Sequence, residues 1–387
     1  MVLDAAKRLG DGSDSTTTFS ETSPSTADGA IRSVVIASPG GITGGGGTGS
    51  VSREIQDWLV ENDGNVQVVV IDTRGSGSVL ASPLFFLVAL VRLAILRVSR
   101  PGSVLHVQVT ERGSFLRKGV VLRLGRLLKM RCVLHHHGAE LKAYVAKARG
   151  WERAWLLDTV RKAHLNIVLG WDMQKFLIEA LGVDHHRTAV LHNAVKDFQG
   201  PARPRTPSVG GFHFLLLANL CPRKGVSEFL QALARLRAES TPFRATIAGG
   251  GQVARYVDEA TALGIRQDCT FTGWVKRDRV ERLLGEADAL VMPSYDEGLP
   301  MVILEALSAR GPVIATPVGS IPEVLTDTVD CLFVKVGDVG ALHAAMTRII
   351  DEGDLREYLA EEGRKLFERK FQMRSYIENL FALYRRL

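Results

Sequence analysis

Two glutamates, Glu297 and Glu305, bracket the apolar run GLPMVIL within SYDEGLPMVILEAL, residues 294–307. Such a pair can act as acid and base on a glycosidic bond, sit as two solvated charges, or grip one hydroxylated ligand at two points. Glycosidases hold their carboxylates roughly 5 to 9.5 Å apart. Eight helical positions at ~1.5 Å each would place these two about 12 Å apart, a poor hydrolytic couple unless the loop folds back. The spacing better suits carboxylates that accept hydroxyl hydrogen bonds from opposite ends of a long ligand. A helix N-terminus between them would hold phosphates through its free N–H groups. That helix is expected over LPMVILEALSA, with Pro300 in the first turn, where a missing N–H costs nothing.

Three other clusters carry related chemistry. Arg223 and Lys224 in ANLCPRKGVSEFL follow an expected strand and precede a helix, where a guanidinium fork and an ammonium point charge suit a diphosphate; a solvated loop is the bland alternative. SPGGITGGGGTGS, residues 38–50, lets backbone N–H groups approach a phosphate or sugar without intervening Cβ atoms. It also fits GxGxxG loosely, with Asp72 as the acid a dinucleotide site would need, as any glycine run would. His135, His136 and His137 end a strand, so His135 and His137 share one face and His136 the other. Three consecutive histidines do not easily make a tetrahedral metal site. His137, at the carboxyl edge of a parallel sheet and followed by Gly138, Ala139 and Glu140, stands where ligands of such sheets bind.

The elements that must position these residues follow a regular pattern. Short β-rich runs at 32–38, 66–72, 103–109, 131–137, 165–170 and 188–193 alternate with amphipathic segments, the signature of a parallel sheet. The proline-rich stretch 196–211 reads as a linker. Strands then resume at 212–219, 243–249, 269–273, 287–293, 312–316 and 331–336. The expected fold is α/β, with two Rossmann-like doubly wound domains facing a cleft: residues 31–195, then 212–365, and a terminal helix over 366–387 packing across both. Residues 1–30 are Ser/Thr-rich, cannot bury enough apolar area to order themselves, and contain no signal-peptide core.

Composition narrows the classes further. The chain has 387 residues, 46% hydrophobic and 23% charged, a globular composition. Its four cysteines are scattered, which suggests neither zinc nor a disulfide framework and fits a reducing cytoplasm. The net charge of +6 lies wholly in the first half. From Arg92 to Arg131, ten Lys/Arg face one acid, Glu111, a patch suited to anionic lipid, nucleic acid or a phosphorylated substrate. Few aromatics are interleaved for base stacking, which argues against nucleic acid. The run Leu84–Leu96, broken only by Arg92, is short for a bilayer span. It reads as a crossover helix on the sheet or an interfacial helix. The following segment, 114–131, is expected to be basic on one side and apolar on the other.

Taken in order, the Gly-rich first loop, HHHGAE, Asn193 in LHNAV, PRKG, AGGG, FTGWV, EGLPMVILE and GSIPEVL resemble the retaining GT-B glycosyltransferases of group 1 over nearly all of residues 31–387. The resemblance implies that Glu297 binds donor-sugar hydroxyls, Glu305 the ribose, and Arg223 with Lys224 the leaving diphosphate, while His137 closes the cleft from the other domain. It further implies donor contacts from Gly44, Gly45, Gly46 and Gly47, from Asn219, Gly250, Val275 and Ser294, and from the backbone of Gly298, Leu299, Pro300, Met301 and Val302. The substrate would be a UDP- or GDP-linked sugar, with no metal and no other cofactor. ERGSFLRKG followed by HHHGAEL is similar to a bacterial polysaccharide-assembly subset. That implies a lipid-linked or otherwise anionic glycan acceptor met by Arg117, Lys118, Arg123, Arg126, Lys129 and Glu140 at the cytoplasmic membrane face. A nucleotide-sugar epimerase on the same architecture and a catalytically silent glycan- or membrane-binding subunit are the alternatives.

Overall fold

The computed structural model describes residues 31–387 except 40, 42–46, 64, 76–81, 111–112 and 201–210. The Ser/Thr-rich stretch 1–30 and most of the proline-rich linker lie outside the described residues.

The first half alternates as expected: β1 (Ser33–Ser38), α1 (Gly47–Asn62), β2 (Gln67–Asp72), α2 (Ser82–Ser99), β3 (Val104–Val109), α3 (Gly113–Leu127), β4 (Arg131–His136), α4 (Leu141–Lys147), α5 (Gly150–Lys162), β5 (Leu165–Val168), α6 (Trp171–Glu179) and β6 (Thr188–Val190). The second half repeats the alternation: β7 (Phe212–Leu217), α7 (Val226–Ala238), β8 (Phe243–Ala248), α8 (Val253–Ala262), β9 (Cys269–Gly273), α9 (Arg277–Glu286), β10 (Ala289–Met292), α10 (Met301–Ser308), β11 (Val313–Ala315), α11 (Ile321–Val324) and β12 (Leu332–Phe333). Helices α12 (Val339–Asp351), α13 (Gly353–Lys370) and α14 (Met373–Arg385) complete the chain.

Both six-stranded sheets are parallel, in the orders β2-β1-β3-β4-β5-β6 and β12-β11-β10-β7-β8-β9. Strands buried on both faces explain the continuous apolar runs, since helices cover each side. β1, β3 and β7 are buried along almost their whole length. In each sheet the order reverses beside the domain's first strand, between β1 and β3 and between β7 and β10. Ligands of open parallel sheets bind in the crevice at that reversal, off the carboxyl ends of the strands. The Gly-rich loop follows β1, Arg223–Lys224 follow β7, and Glu297 follows β10.

The expected boundary at residue 366 falls inside α13, because the helix runs unbroken from Gly353 to Lys370. The crossing element is α14, whose buried face includes Tyr376, Leu380 and Tyr384. The Tyr384 hydroxyl lies 2.6 Å from His106 Nδ1 on β3, so the last helix of the chain is tied into the core of the first sheet. Val195 N bonds Phe371 O at 3.1 Å, which fastens the domain junction to the same terminal segment.

Candidate active site

Glu297 lies in the loop between β10 and α10 and is 8% exposed. Lys224 Nζ donates to Glu297 Oε1, and Arg223 Nη1 stands 3.9 Å from Oε2. The two cations sit in a single 3-10 turn, Pro222–Lys224, closed by Gly225 at φ +65°. Glycine is required there, since a Cβ would come within 2.0 Å of Pro293 O. The turn is stitched to the glutamate loop by Tyr295 N to Arg223 O at 2.8 Å and by Arg223 Nη1 donating to Asp296 O. Two loops at the sheet reversal are thereby locked together, with a carboxylate and two cations between them.

On the far side of Glu297 the GSIPEVL segment packs backbone to backbone. Gly319, at φ +58°, leaves no room for a side chain, because its Cβ would lie 1.9 Å from Glu297 O. Ser320 N donates to Gly298 O at 3.0 Å. Helix α10 begins only at Met301, because Pro300 is extended with ψ 126°. The expected placement of Pro300 in the first turn is therefore off by one residue, and only half of the Glu297-to-Glu305 interval is helical. Glu305 is half-buried, and desolvation raises its carboxyl pKa while the nearby Arg277 opposes the shift.

The first domain supplies the opposite wall. A cavity of about 130 Å³ brings His136, Gly138 and Ala139 together with Asp296, Glu297 and Gly298. A larger one, of about 590 Å³, opens between α4 and the second domain, lined by Glu140, Tyr144, Arg223, Arg255, Tyr295 and Asp296. Glu140 Oε1 stands 3.6 Å from Arg223 Nε. The histidine run divides as alternation requires. His136 Nε2 lies 3.1 Å from Asn166 Oδ1 on one face, while the His135 and His137 rings lie 4.0 Å apart on the other. His137 is half-buried, and its Nε2 is enclosed without a hydrogen-bond partner. Burial pushes its pKa down to about 3, helped by the neighbouring histidines, so the ring is neutral near pH 7. Among the described residues no group of three or more His, Cys, Asp or Glu side chains is arranged to hold a metal ion.

The chain's second half resembles known proteins. Residues 203–366 match the family described as "Glycosyl transferases group 1". Over those residues the chain is similar to the group 1 glycosyltransferases. Glycogen synthase of Mycobacterium tuberculosis is 28% identical over 213 residues, 55% of this chain and 51% of that enzyme. The chain spans about half the length of the curated relatives it matches. Sucrose-phosphate synthase of Thermosynechococcus elongatus superposes with a TM-score of 0.74 at 17% identity, covering 92% of this chain and 98% of that one. HepE of Anabaena, solved in complex with UDP, gives 0.71 at 16% identity over 92% and 100%. The fold is GT-B.

The other expected donor residues are spread over both halves of the chain. Gly44, Gly45 and Gly46 lie outside the described residues, and Gly47 opens α1. Gly298 lines the small cavity, Asn219 is exposed, and Gly250, Val275 and Pro300 are half-buried. Leu299, Met301 and Val302 are buried, and Leu299 O accepts from Asn193 Nδ2 at 2.8 Å. Ser294 is fully buried, with its hydroxyl unpartnered and enclosed, so its side chain is in the core and not in the cleft wall.

The basic residues of α3 need correction. Lys118 is fully buried, because it falls on the core-facing stripe with Phe115, Val121 and Leu122. Desolvation, with Arg117 nearby, pushes its pKa far down. Arg123 pairs with Asp158 and lies 3.5 Å over the Trp155 ring. Both are therefore occupied by packing, and the expected basic face of this helix is thinner than its sequence suggests. Arg126 and Lys129 are exposed, and Arg117 and Glu140 are half-buried.

Two residues that bind the domains together carried no assigned role. Arg277, at the start of α9, donates to Glu54 of α1, and Glu54 is 1% exposed. Glu323, within the GSIPEVL motif, accepts from Trp171 N at 2.6 Å and Asp172 N at 2.9 Å, capping the first turn of α6. Gly170 makes that approach possible, since its Cβ would meet Ser320 Oγ at 2.2 Å.

Proposed function

We propose that the protein is a retaining, metal-independent glycosyltransferase. It moves a hexose from a UDP- or GDP-linked donor to a lipid-linked or otherwise anionic glycan in cell-surface or exopolysaccharide synthesis, at the cytoplasmic face of the membrane. The observation that carries this reading is Lys224 and Arg223 gathered on Glu297 beside the N-terminus of α10, at the reversal point of the second sheet. The comparison with HepE, a protein solved with UDP and with UDP-glucose, supports a nucleotide-sugar donor.

In this reading the diphosphate lies over the α10 N-terminus and takes Lys224 and Arg223 from Glu297, which then accepts hydroxyl hydrogen bonds from the sugar. Glu305, near the middle of α10, accepts from the ribose. As the bond between the anomeric carbon and the phosphate oxygen breaks, negative charge grows on the leaving diphosphate. Cations and N–H groups already fixed in place stabilise that charge without reorganising. The acceptor hydroxyl attacks from the same face, its oxygen bonds to the anomeric carbon, and its proton passes to the departing phosphate oxygen. His137 faces this step from the first domain as a neutral ring, a hydrogen-bonding group rather than a cation.

The test is transfer from radiolabelled UDP- and GDP-hexoses to a lipid-linked oligosaccharide extract, with NMR of the new linkage. The reading requires α-linked product from an α-linked donor, turnover after chelation, and a loss of about a hundredfold or more in Glu297→Gln and Lys224→Ala. If both variants keep full transfer, the site assignment is wrong. Conversion of the donor without acceptor would mark an epimerase instead.

A further inference from the structure

Helix α2 buries one narrow face and leaves the rest bare. Ala89, Leu93 and Leu96 pack into the core of the first domain, against the edge strand β2. Leu84, Leu87, Val88, Val91, Ile95 and Val98 are each 53–83% exposed. Their spacing of three, one, three, four and three puts them on one side of the helix, a continuous stripe along its length. Single exposed apolar residues are ordinary, but an unbroken stripe of this size on one helix marks an interaction surface.

The surroundings select the partner. Arg97 Nε donates to Leu128 O at 2.8 Å, which brings the end of α3 beside the end of α2. Leu127 there is 79% exposed and extends the apolar surface. Arg92, Arg126 and Lys129 are exposed, and Arg100 is half-buried. Between Arg92 and Arg131 the chain has one acid, Glu111. An apolar stripe with cations beside it, and scarcely any acids nearby, complements acyl chains beneath anionic headgroups. A second copy of this chain would bring the same cations against one another.

By length and composition α2 could cross a bilayer, the one such helix among the described residues. Its packing against β2 excludes a span without unfolding the first domain. We infer that α2 is an in-plane membrane-docking helix: the Leu84–Val98 stripe seats in the headgroup–acyl boundary of an anionic membrane, with Arg92, Arg100, Arg126 and Lys129 on the headgroups. This gives the membrane contact in the proposed function its surface. It rests on that reading only for its purpose, which is to hold the cleft beside a lipid-linked acceptor.

The experiment is flotation of the full chain with phosphatidylcholine vesicles and with phosphatidylcholine–phosphatidylglycerol vesicles. The wild type floats with the anionic vesicles. Leu87→Asp/Val91→Asp, both on exposed positions, cuts partitioning at least about tenfold with unchanged Tm. Arg92→Glu/Lys129→Glu weakens it by roughly fivefold per cation, an effect that added salt abolishes. Absence of wild-type flotation, or flotation indifferent to the apolar pair, overturns the inference, as does a dimer in light scattering that Leu87→Asp/Val91→Asp dissolves. Donor binding, measured by calorimetry on the same proteins, tests the proposed function separately. A docking failure with intact donor binding contradicts this surface alone.

Discussion

Lys224 Nζ and Glu297 Oε1 form an ion pair that joins the loop after β7 to the loop after β10. The lysine side chain is 13% exposed and the glutamate 8%, so neither charge has much water to fall back on. Lys224→Ala leaves Glu297 with Arg223 at 3.9 Å as its nearest cation. We expect a stability loss of about 3 kcal/mol in urea unfolding. The double variant Lys224→Met/Glu297→Gln removes both charges and is expected to recover most of it. If the double variant is as unstable as Lys224→Ala, the pair is not what the loop pays for.

Glu323 and Gly170 join the two halves of the chain through the α6 cap. Glu323→Ala removes two bonds to backbone N–H groups and should cost about 1–2 kcal/mol. Gly170→Ala places a methyl on Ser320 and Glu323 and should push the domains apart. Small-angle scattering reads the second effect as a larger radius of gyration. An unchanged radius with full stability would show that the contact is dispensable.

Arg277 answers a buried carboxylate across the cleft. Removing it as Arg277→Ala strands Glu54 and should destabilise by about 3 kcal/mol, whereas Glu54→Gln should cost much less. Because Arg277 also opposes the upward shift on Glu305, the same substitution should raise the Glu305 pKa further. Carbon-13 NMR of the labelled carboxyl would follow that titration.

Acid sensitivity follows from the buried histidines. Burial lowers the pKa of His106 and His137 to about 3 and of His136 to about 4, and holds His135 well below its usual value. The unfolded chain takes up these protons near pH 6.5, while the folded one resists them until far lower pH. Stability from these groups is therefore complete above about pH 6.5 and lost progressively as pH falls toward 4. Urea unfolding against pH should show uptake of several protons in that window. His136→Gln, which can keep the bond to Asn166, should reduce the uptake by about one. A flat profile between pH 7 and 4 would contradict the burial.

Much of this was legible in the sequence. All twelve strands lie where alternating apolar runs put them, trimmed where the chain leaves the sheet: the run 188–193 pairs only through Val190, because the chain beyond it turns toward the domain junction. The loops with Arg223, Lys224 and Glu297 converge because parallel strands deliver their carboxyl ends to one edge. What escaped notice depends on distant partners. Glu323 and Trp171 are 152 positions apart, and Arg277 and Glu54 are 223 apart, separations at which spacing carries no signal. Lys118 departs from the expected solvent face for a local reason, since a charge can fall within a helix's apolar period and be buried with it. Its position three residues after Phe115 and four before Leu122 already placed it on the buried face.

In the proposed function the second domain holds a nucleoside diphosphate between Arg223–Lys224 and Glu305. Isothermal calorimetry of UDP, GDP and ADP against the wild type, Lys224→Ala and Glu305→Gln tests it most directly. One nucleotide should bind the wild type with one-to-one stoichiometry and raise its Tm with concentration. Binding should weaken at least about tenfold in each variant. No binding by any of the three, or equal affinity in wild type and both variants, would contradict the account.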